Sequence, residues 1–325
     1  MKGALRILVA EPQNFSDAAA QILQQAGEVV LKDVSSKSEL SDAFSEYDVI
    51  FLRLRMSVTS DLLPLKPRCR LIAVPTTGLD HIDLHACAER GIEIISLYGE
   101  REFLSTVRAT SELTIALALS LIRNLPRAVQ SVQMGEWDRD QFRGTELYGK
   151  TAGIVGLGRL GSITADYFYA FGMRVLGYDV RDDVASSPAV KVDTIEELLE
   201  QSDLVSIHVT YTAKTRHLFS AAAFARMKSG AILINTSRGG VVCETALIEA
   251  LESGRIAGAA LDVLDGEPAI DANHPMLRYA ETHPNVLITP HIGGNTIESF
   301  AKTEVFIADR VLSSLGLENT FGRHQ

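Results

Sequence analysis

Cysteine is scarce in this chain, and its placement excludes two kinds of scaffold. Cys69, Cys87 and Cys243 are odd in number, far apart and without CxxC spacing. Neither a disulfide framework nor a metal site is therefore expected, and a reducing cytoplasm is. Positive charge is short as well: 31 Lys and Arg stand against 41 Asp and Glu, a net charge of -10. No long-range field then draws the protein to nucleic acid or to an anionic membrane, so neither is an expected partner. Long apolar runs are missing too, none reaching the roughly 18 residues that span a bilayer. The opening MKGALRILVAEPQ has only a short apolar stretch before Glu11 and Pro12, too little for a signal-peptide core. There is no internal repeat or low-complexity tract, and no room for an appended regulatory domain is expected at the tail.

What is present is the balance of a globular protein: 325 residues, 46% apolar and 22% charged, enough for two domains with a core each. Short apolar runs alternate with helical patterns. RILVA (6–10), DVIFL (48–52), RLIAV (70–74) and IEII (92–95) read as one series of strands. TAGIVG (151–156), RVLGYD (174–179), DLVSIHV (203–209), AILINT (231–236), IAGAALDV (256–263) and NVLIT (285–289) read as a second. Such alternation argues for crossover connections and parallel sheets, hence two α/β domains. Between them lies Ser105 to Leu125, apolar all round a helical wheel from Leu113 to Ile122, which suits a connector buried between domains or against a partner. The last helical segment, Ile297 to Leu315, is too short to found a domain. It is expected to return to the first, giving a discontinuous domain of 1–101 and 293–325 around an inserted 102–292.

GIVGLGRLG places Gly156, Gly158 and Gly161 in GxGxxG spacing, after a strand and before a helix. The first glycine permits a tight turn, the second lets backbone approach a pyrophosphate, and the third lets helix and strand pack closely. The helix N-terminus would offer N–H groups and positive dipole to that anion. Asp179 closes the next strand, where a carboxylate meets the adenosine ribose hydroxyls and repels a 2'-phosphate, so NAD is expected over NADP. Arg181 argues mildly the other way.

Three polar residues sit at or just after strand ends in the same half: Arg238 in INTSRGG, Glu267 in LDVLDGEP and His291 in ITPHIGG. Ligands of open α/β sheets bind beyond the carboxyl ends of strands, so all three should face one mouth. Arg238 offers a planar fork for a carboxylate or carbonyl. His291 suits proton transfer near neutrality, and Glu267 would fix its tautomer and favour the imidazolium. These parts describe oxidation of an alcohol beside a carboxylate, with His291 as base, or as acid in reverse. His208 is expected near the cofactor at most. His81, His85, His217, His274, His283 and His324 read as structural or exposed. Arg53 and Arg55 in FLRLRMS lie on one side if extended, and one of them is a candidate for a distal anion on the substrate.

Together these residues resemble the D-isomer-specific 2-hydroxyacid dehydrogenase family. The resemblance rests on VGLGRLG with YD, NTSRGGVVCETALIEAL, ALDVLDGEP and TPHIGG, in family order, with TTGLDHIDL in the first domain. It covers nearly the whole chain, and the order of arginine, glutamate and histidine is much more specific than the glycine motif. It implies a Rossmann NAD domain, a doubly wound parallel sheet, inserted in a flavodoxin-like substrate domain. It also implies a cleft between them, a 2-hydroxy acid or 2-keto acid substrate, and a homodimer. Beyond Gly156, Gly158, Gly161 and Asp179, the implied cofactor contacts are Arg159 and Leu160 in the turn, His208 and Val209 in SIHV, and Thr210 and Thr215 after it. Thr236, Ser237, Asp262 and Gly293 complete them. The backbone around Thr77, Gly78 and Leu79 would take the substrate carboxylate, with Asp80 supporting that loop and Arg53 as the substrate-binding side chain. Departures exist. Leu54 stands where phosphoglycerate-type members commonly have serine, Cys243 where an acid is usual, and LYGEREFLSTVRAT replaces a small-residue loop. They leave the hydride chemistry intact and put phosphoglycerate in doubt as the substrate. Two other readings share the scaffold: an NAD(H)-sensing corepressor-like binding protein, and a formate- or phosphite-type dehydrogenase.

Overall fold

Parallel strands buried on both faces should read as near-continuous apolar runs, and the computed structural model, which describes residues 5–184 and 188–320, is built from such runs. The chain divides into two compact units, one running to Val107 and resuming at Thr296, the other Arg108–Asn295. Each division falls a few residues beyond the expected point. Leu104 is buried in the core of the first unit, and the Gly293 N–H is hydrogen-bonded to Asp262 in the second.

In the first unit the strands are β1 (Leu5–Val9), β2 (Gly27–Leu31), β3 (Val49–Phe51), β4 (Leu71–Val74) and β5 (Glu93–Ser96), in the order β2-β1-β3-β4-β5. All pair in parallel, the flavodoxin-like order. Alternate side chains point to opposite faces. Leu8, Ile50 and Ile72 pack with Leu40 and Phe44 on one side. Ile7, Val9 and Phe51 pack on the other with Ile22 and with Ile307, Ala308 and Val311 of the last helix, Ile297–Ser314. That helix therefore completes the first core, although it arrives from the far end of the chain.

The second unit holds β6 (Thr151–Val155), β7 (Arg174–Tyr178), β8 (Val190–Lys191), β9 (Leu204–Ile207), β10 (Ala231–Asn235), β11 (Ile256–Leu261) and β12 (Val286–Ile288). Their order, β12-β11-β10-β9-β6-β7-β8, is the doubly wound Rossmann arrangement. The helix Ala109–Ile122 lays Ile115, Ala118 and Leu121 on one face of this sheet with Ile154, Ile234 and Ala260. The other face is filled by Val205, Leu233 and Leu261 against Phe224, Leu247 and Met276. The sheet order reverses between β6 and β9, and the loops leaving those two strands flank the crevice where ligands of such sheets bind.

Two strands lie outside the apolar runs that mark the rest. Both β2 and β8 are edge strands, half-buried or exposed, and β8 has only two residues. Among the described residues no helix is long and apolar enough to cross a membrane.

Candidate active site

The loop after β6 is shaped by its glycines. Gly156 has φ 97°, a left-handed conformation suited to glycine, and its N–H donates to the Tyr178 carbonyl at 2.8 Å. A Cβ on Gly161 would enter the Gly156 carbonyl, so the helix Arg159–Ala170 can start there only without a side chain. Gly158 is different: a Cβ built on it would come no closer than 3.9 Å to Arg181 and meets nothing else. The protein's own packing does not demand glycine at that position, whereas a ligand lying against the backbone would. No side chain caps the first turn of the helix, leaving its N–H groups for an anion. These features fit a dinucleotide pyrophosphate.

Around this loop the expected cofactor residues fall into place as follows. Asp179 follows β7 and accepts the Leu157 N–H at 2.9 Å and the Arg181 guanidinium at 3.1 Å. Burial alone would raise its pKa, but the donors from Arg181 and Leu157 outweigh it and hold the carboxyl below its usual range. Arg159 opens the helix, and burial lowers its pKa. The Leu160 carbonyl accepts the Ser111 hydroxyl at 3.1 Å. After β9, His208 is tied to Ser206 at 2.8 Å through Nε2, and burial pushes its imidazole down to about 4. Its backbone lies against Gly156, where a Cβ on the glycine would meet the His208 carbonyl. Val209 packs on the core, and Thr215 donates its hydroxyl to the Thr210 carbonyl at 2.7 Å, closing the following turn.

The loops leaving β10, β11 and β12 carry the polar residues singled out for chemistry, and buried side chains organise them. Asn235, 1% exposed, accepts the Ser237 N–H at 3.0 Å and donates to the Arg238 carbonyl at 3.0 Å, which turns the chain sharply at Arg238. Thr236 is buried with its hydroxyl 2.9 Å from that of Thr114. Gly239 lies against the Leu264–Asp265 backbone, where any side chain would collide, and this draws the Arg238 loop against the Glu267 loop.

Asp262 fixes the third loop. Its carboxylate, 1% exposed, accepts the Thr289 hydroxyl at 2.6 Å, the Ile292 N–H at 2.8 Å and the Gly293 N–H at 2.7 Å. Its carbonyl accepts the His291 N–H at 2.9 Å. Burial raises the Asp262 pKa, and the same donors pull it down. His291 sits in the middle of these bonds at φ 54°, a left-handed conformation that costs a non-glycine residue on the order of 1–3 kcal/mol unless its surroundings impose it. Here the surroundings do. Nδ1 of His291 meets Oε2 of Glu267 at 2.5 Å, and Oε1 of Glu267 accepts the Leu264 N–H at 2.6 Å. The structure thus brings Glu267 and His291 together as a carboxylate–imidazole pair, each about a quarter exposed, 26%.

Two supporting residues escaped the sequence reading. Glu244 accepts the Asp265 N–H at 2.9 Å, while His274 approaches the Asp265 carbonyl at 3.2 Å and Glu244 itself at 3.4 Å. Both backbone polar groups of Asp265, in the Glu267 loop, are thus held from behind. The signal was available: Glu244 directly follows Cys243, which stands where an acid is usual, and His274 precedes the Pro275 that opens a helix. His324 lies outside the described residues.

In the first unit, Thr77, Gly78 and Leu79 follow β4, with the Thr76 hydroxyl donating to the Gly78 carbonyl at 2.9 Å. Arg53 follows β3, and its guanidinium is engaged: Nε reaches Glu304 at 3.0 Å, Nη1 reaches the Gln13 carbonyl at 2.9 Å, and the plane lies 4.3 Å from the Phe300 ring centre. Glu304 is fully buried and also accepts the Ser16 N–H at 2.7 Å. Arg55 pairs with Asp33 at 2.5 Å.

Residues 115–293 match the family profile described as D-isomer specific 2-hydroxyacid dehydrogenase, NAD binding domain. A D-3-phosphoglycerate dehydrogenase of Methanocaldococcus jannaschii is 38% identical over 310 residues, covering 94% of this chain and 57% of that protein. The chain thus spans little more than half the length of that relative. A hydroxypyruvate reductase of Thermotoga maritima is 33% identical over 313 residues, covering 96% of this chain and 99% of that one. A solved structure of D-lactate dehydrogenase from Aquifex aeolicus, complexed with NAD and lactic acid, superposes with a TM-score of 0.81 at 30% identity, covering 96% and 95% of the two chains. This chain belongs to the D-isomer-specific 2-hydroxyacid dehydrogenase family, and Rossmann residues 115–293 are its NAD-binding domain.

Proposed function

We propose that the protein is an NAD-dependent oxidoreductase acting at C2 of a D-2-hydroxy acid or the matching 2-keto acid. The observation that carries this reading is the Glu267–His291 pair, held at 2.5 Å beyond the carboxyl ends of β11 and β12. A carboxylate on Nδ1 keeps the proton there and leaves Nε2 as the atom that exchanges one with substrate. In oxidation, Nε2 takes the hydroxyl proton, and the imidazolium so formed is stabilised by Glu267. In reduction, the same atom returns the proton to the carbonyl oxygen. Arg238 holds the substrate carboxylate and polarises the carbonyl through its guanidinium fork. The nicotinamide, when bound, supplies or accepts the hydride. The Thr77–Leu79 backbone would take the substrate carboxylate, and the residues around Gly156, His208, Thr236, Ser237 and Gly293 would hold the dinucleotide.

The commitment of Arg53 to the buried Glu304 supports a substrate with no second anionic group at that residue, such as a short keto acid, over a phosphorylated one. Turnover on a panel of 2-keto acids with NADH tests the proposal. Reduction of pyruvate-sized or hydroxypyruvate-sized acids is expected, and NADH binding without turnover on any of them would instead favour the corepressor-like reading. Unchanged KM in Arg53→Ala is expected if the arginine is structural.

We also infer a homodimer. The helix Leu125–Gln133 leaves Leu125, Val129 and Val132 about half exposed, and Trp137 beside it is 91% exposed. A contiguous apolar face of this kind suits a second copy. A Trp137→Glu variant that sediments no lighter than the wild type would count against this face. Free thiols at Cys69, Cys87 and Cys243 fit a reducing, cytoplasmic setting.

A further inference from the structure

An aspartate that recognises ribose must offer lone pairs to the hydroxyls, and Asp179 has none to spare. A carboxylate has about four acceptor sites. Oδ1 of Asp179 takes the Arg181 N–H at 2.9 Å and Nε at 3.1 Å, while Oδ2 takes the Leu157 N–H at 2.9 Å and Arg181 Nη2 at 3.3 Å. The side chain of Asp179 is 8% exposed under an arginine that is 49% exposed. Arg181 Nη2 is also the atom nearest the open space above Gly158, where a pyrophosphate would lie. The guanidinium thus closes two parts of the dinucleotide site at once.

Three of the four bonds come from Arg181, two of them from its side chain. The Leu157 N–H and the Arg181 N–H belong to the loop itself and can stay. The side chain is half exposed and ends a flexible stem, so it can leave. We propose that Arg181 is a displaceable cover on the ribose-binding carboxylate, and that once displaced it receives a 2'-phosphate, so that the site binds NADP(H) as well as NAD(H). This rests on the glycine loop being a dinucleotide site.

The electrostatics agree. An isolated Asp179 would repel a 2'-phosphate. Here the Arg181 N–H still holds Oδ1 once the side chain swings away, so the guanidinium stays tethered beside Asp179, and the next acid, Asp182, is matched by Lys191 at 2.8 Å, whose Nζ also donates to the Arg181 carbonyl at 3.0 Å. Asp183 adds one further carboxylate acting on Arg181. A guanidinium fork freed from a carboxylate is well matched to a phosphate.

Titration of the substrate-free protein with NADH and with NADPH, followed by calorimetry or nucleotide fluorescence, tests the idea. In the wild type the two Kd values should lie within about tenfold of each other, a gap of about 1.4 kcal/mol or less. Arg181→Ala should raise the NADPH-to-NADH ratio of Kd by at least about tenfold, because NADPH loses its phosphate partner while NADH gains free acceptors on Asp179. Arg181→Lys, which keeps the charge without the fork, should fall between. A wild type that binds NADH and rejects NADPH, or an Arg181→Ala variant in which both nucleotides weaken in parallel, overturns the proposal. Absence of NADH binding to the wild type would overturn the nucleotide site and this proposal with it.

Discussion

His208 and His291 occupy equivalent places in one sheet, each just past the carboxyl end of a strand, yet their surroundings give them opposite roles. His208 follows β9, bonds its Nε2 to Ser206 and is pushed by burial to about 4, so it stays neutral. His291 follows β12, bonds Nδ1 to the Glu267 carboxylate and remains a quarter exposed. In the proposed function one lines the cofactor crevice and the other carries the proton. The difference lies in the partner each ring bonds, a serine hydroxyl for His208 and a carboxylate for His291, which residue type alone does not specify.

Changes that erase this contrast should scale with how directly they touch the proton. His291→Ala is expected to lower kcat by roughly 10² to 10⁴, the usual worth of a positioned acid–base group, with NADH affinity unchanged. Steady-state turnover beside nucleotide titration separates the two effects. Glu267→Gln keeps the shape but not the charge on Nδ1, and a loss of about tenfold to a hundredfold in kcat is expected, with KM nearly constant.

His208 should show itself in stability instead. Its folded pKa, about 4, lies below the ordinary value of 6.5. The unfolded chain therefore binds the proton more readily, and the stabilisation present above pH 6.5 is lost as pH falls towards 4. Between pH 7 and 5 this amounts to about 1–2 kcal/mol, and a His208→Gln variant should lack that part of the slope in Tm. The smallest effect is expected from Glu244→Ala, which frees the Asp265 peptide behind Glu267: a fewfold loss of kcat, restored largely by Glu244→Gln. Equal losses in both variants would mean that charge, and not the hold on the peptide, is what Glu244 contributes.

Much of this was legible in the chain because parallel strands are written as apolar runs and because strand-end residues of an open sheet converge. Both sheets, the glycine loop and the meeting of Glu267 with His291 could be read that way. Of the four edge strands, β5 and β12 were legible as apolar runs; β2 and β8 were not, β8 being two residues long and β2 having no fully buried residue. The role of Asp262 was only half legible. The resemblance placed it near the nicotinamide, whereas the structure shows its carboxylate holding Thr289, Ile292 and Gly293 and so setting the left-handed turn at His291. Bonds between residues roughly thirty positions apart leave no periodic trace. Arg53 shows the same limit from the other side. Its spacing from Arg55, on one side of an extended segment, suggested a ligand, and its buried partner Glu304 comes from the last helix, some 250 residues away.

The central claim is that Glu267 keeps the proton on Nδ1 of His291 and leaves Nε2 to exchange with substrate. Nitrogen-15 NMR of the histidine-labelled protein, with the His291 signals assigned by their loss in His291→Ala, reads that tautomer directly. At alkaline pH the account predicts a protonated Nδ1 and a bare Nε2. A proton found on Nε2 with Nδ1 bare would contradict it.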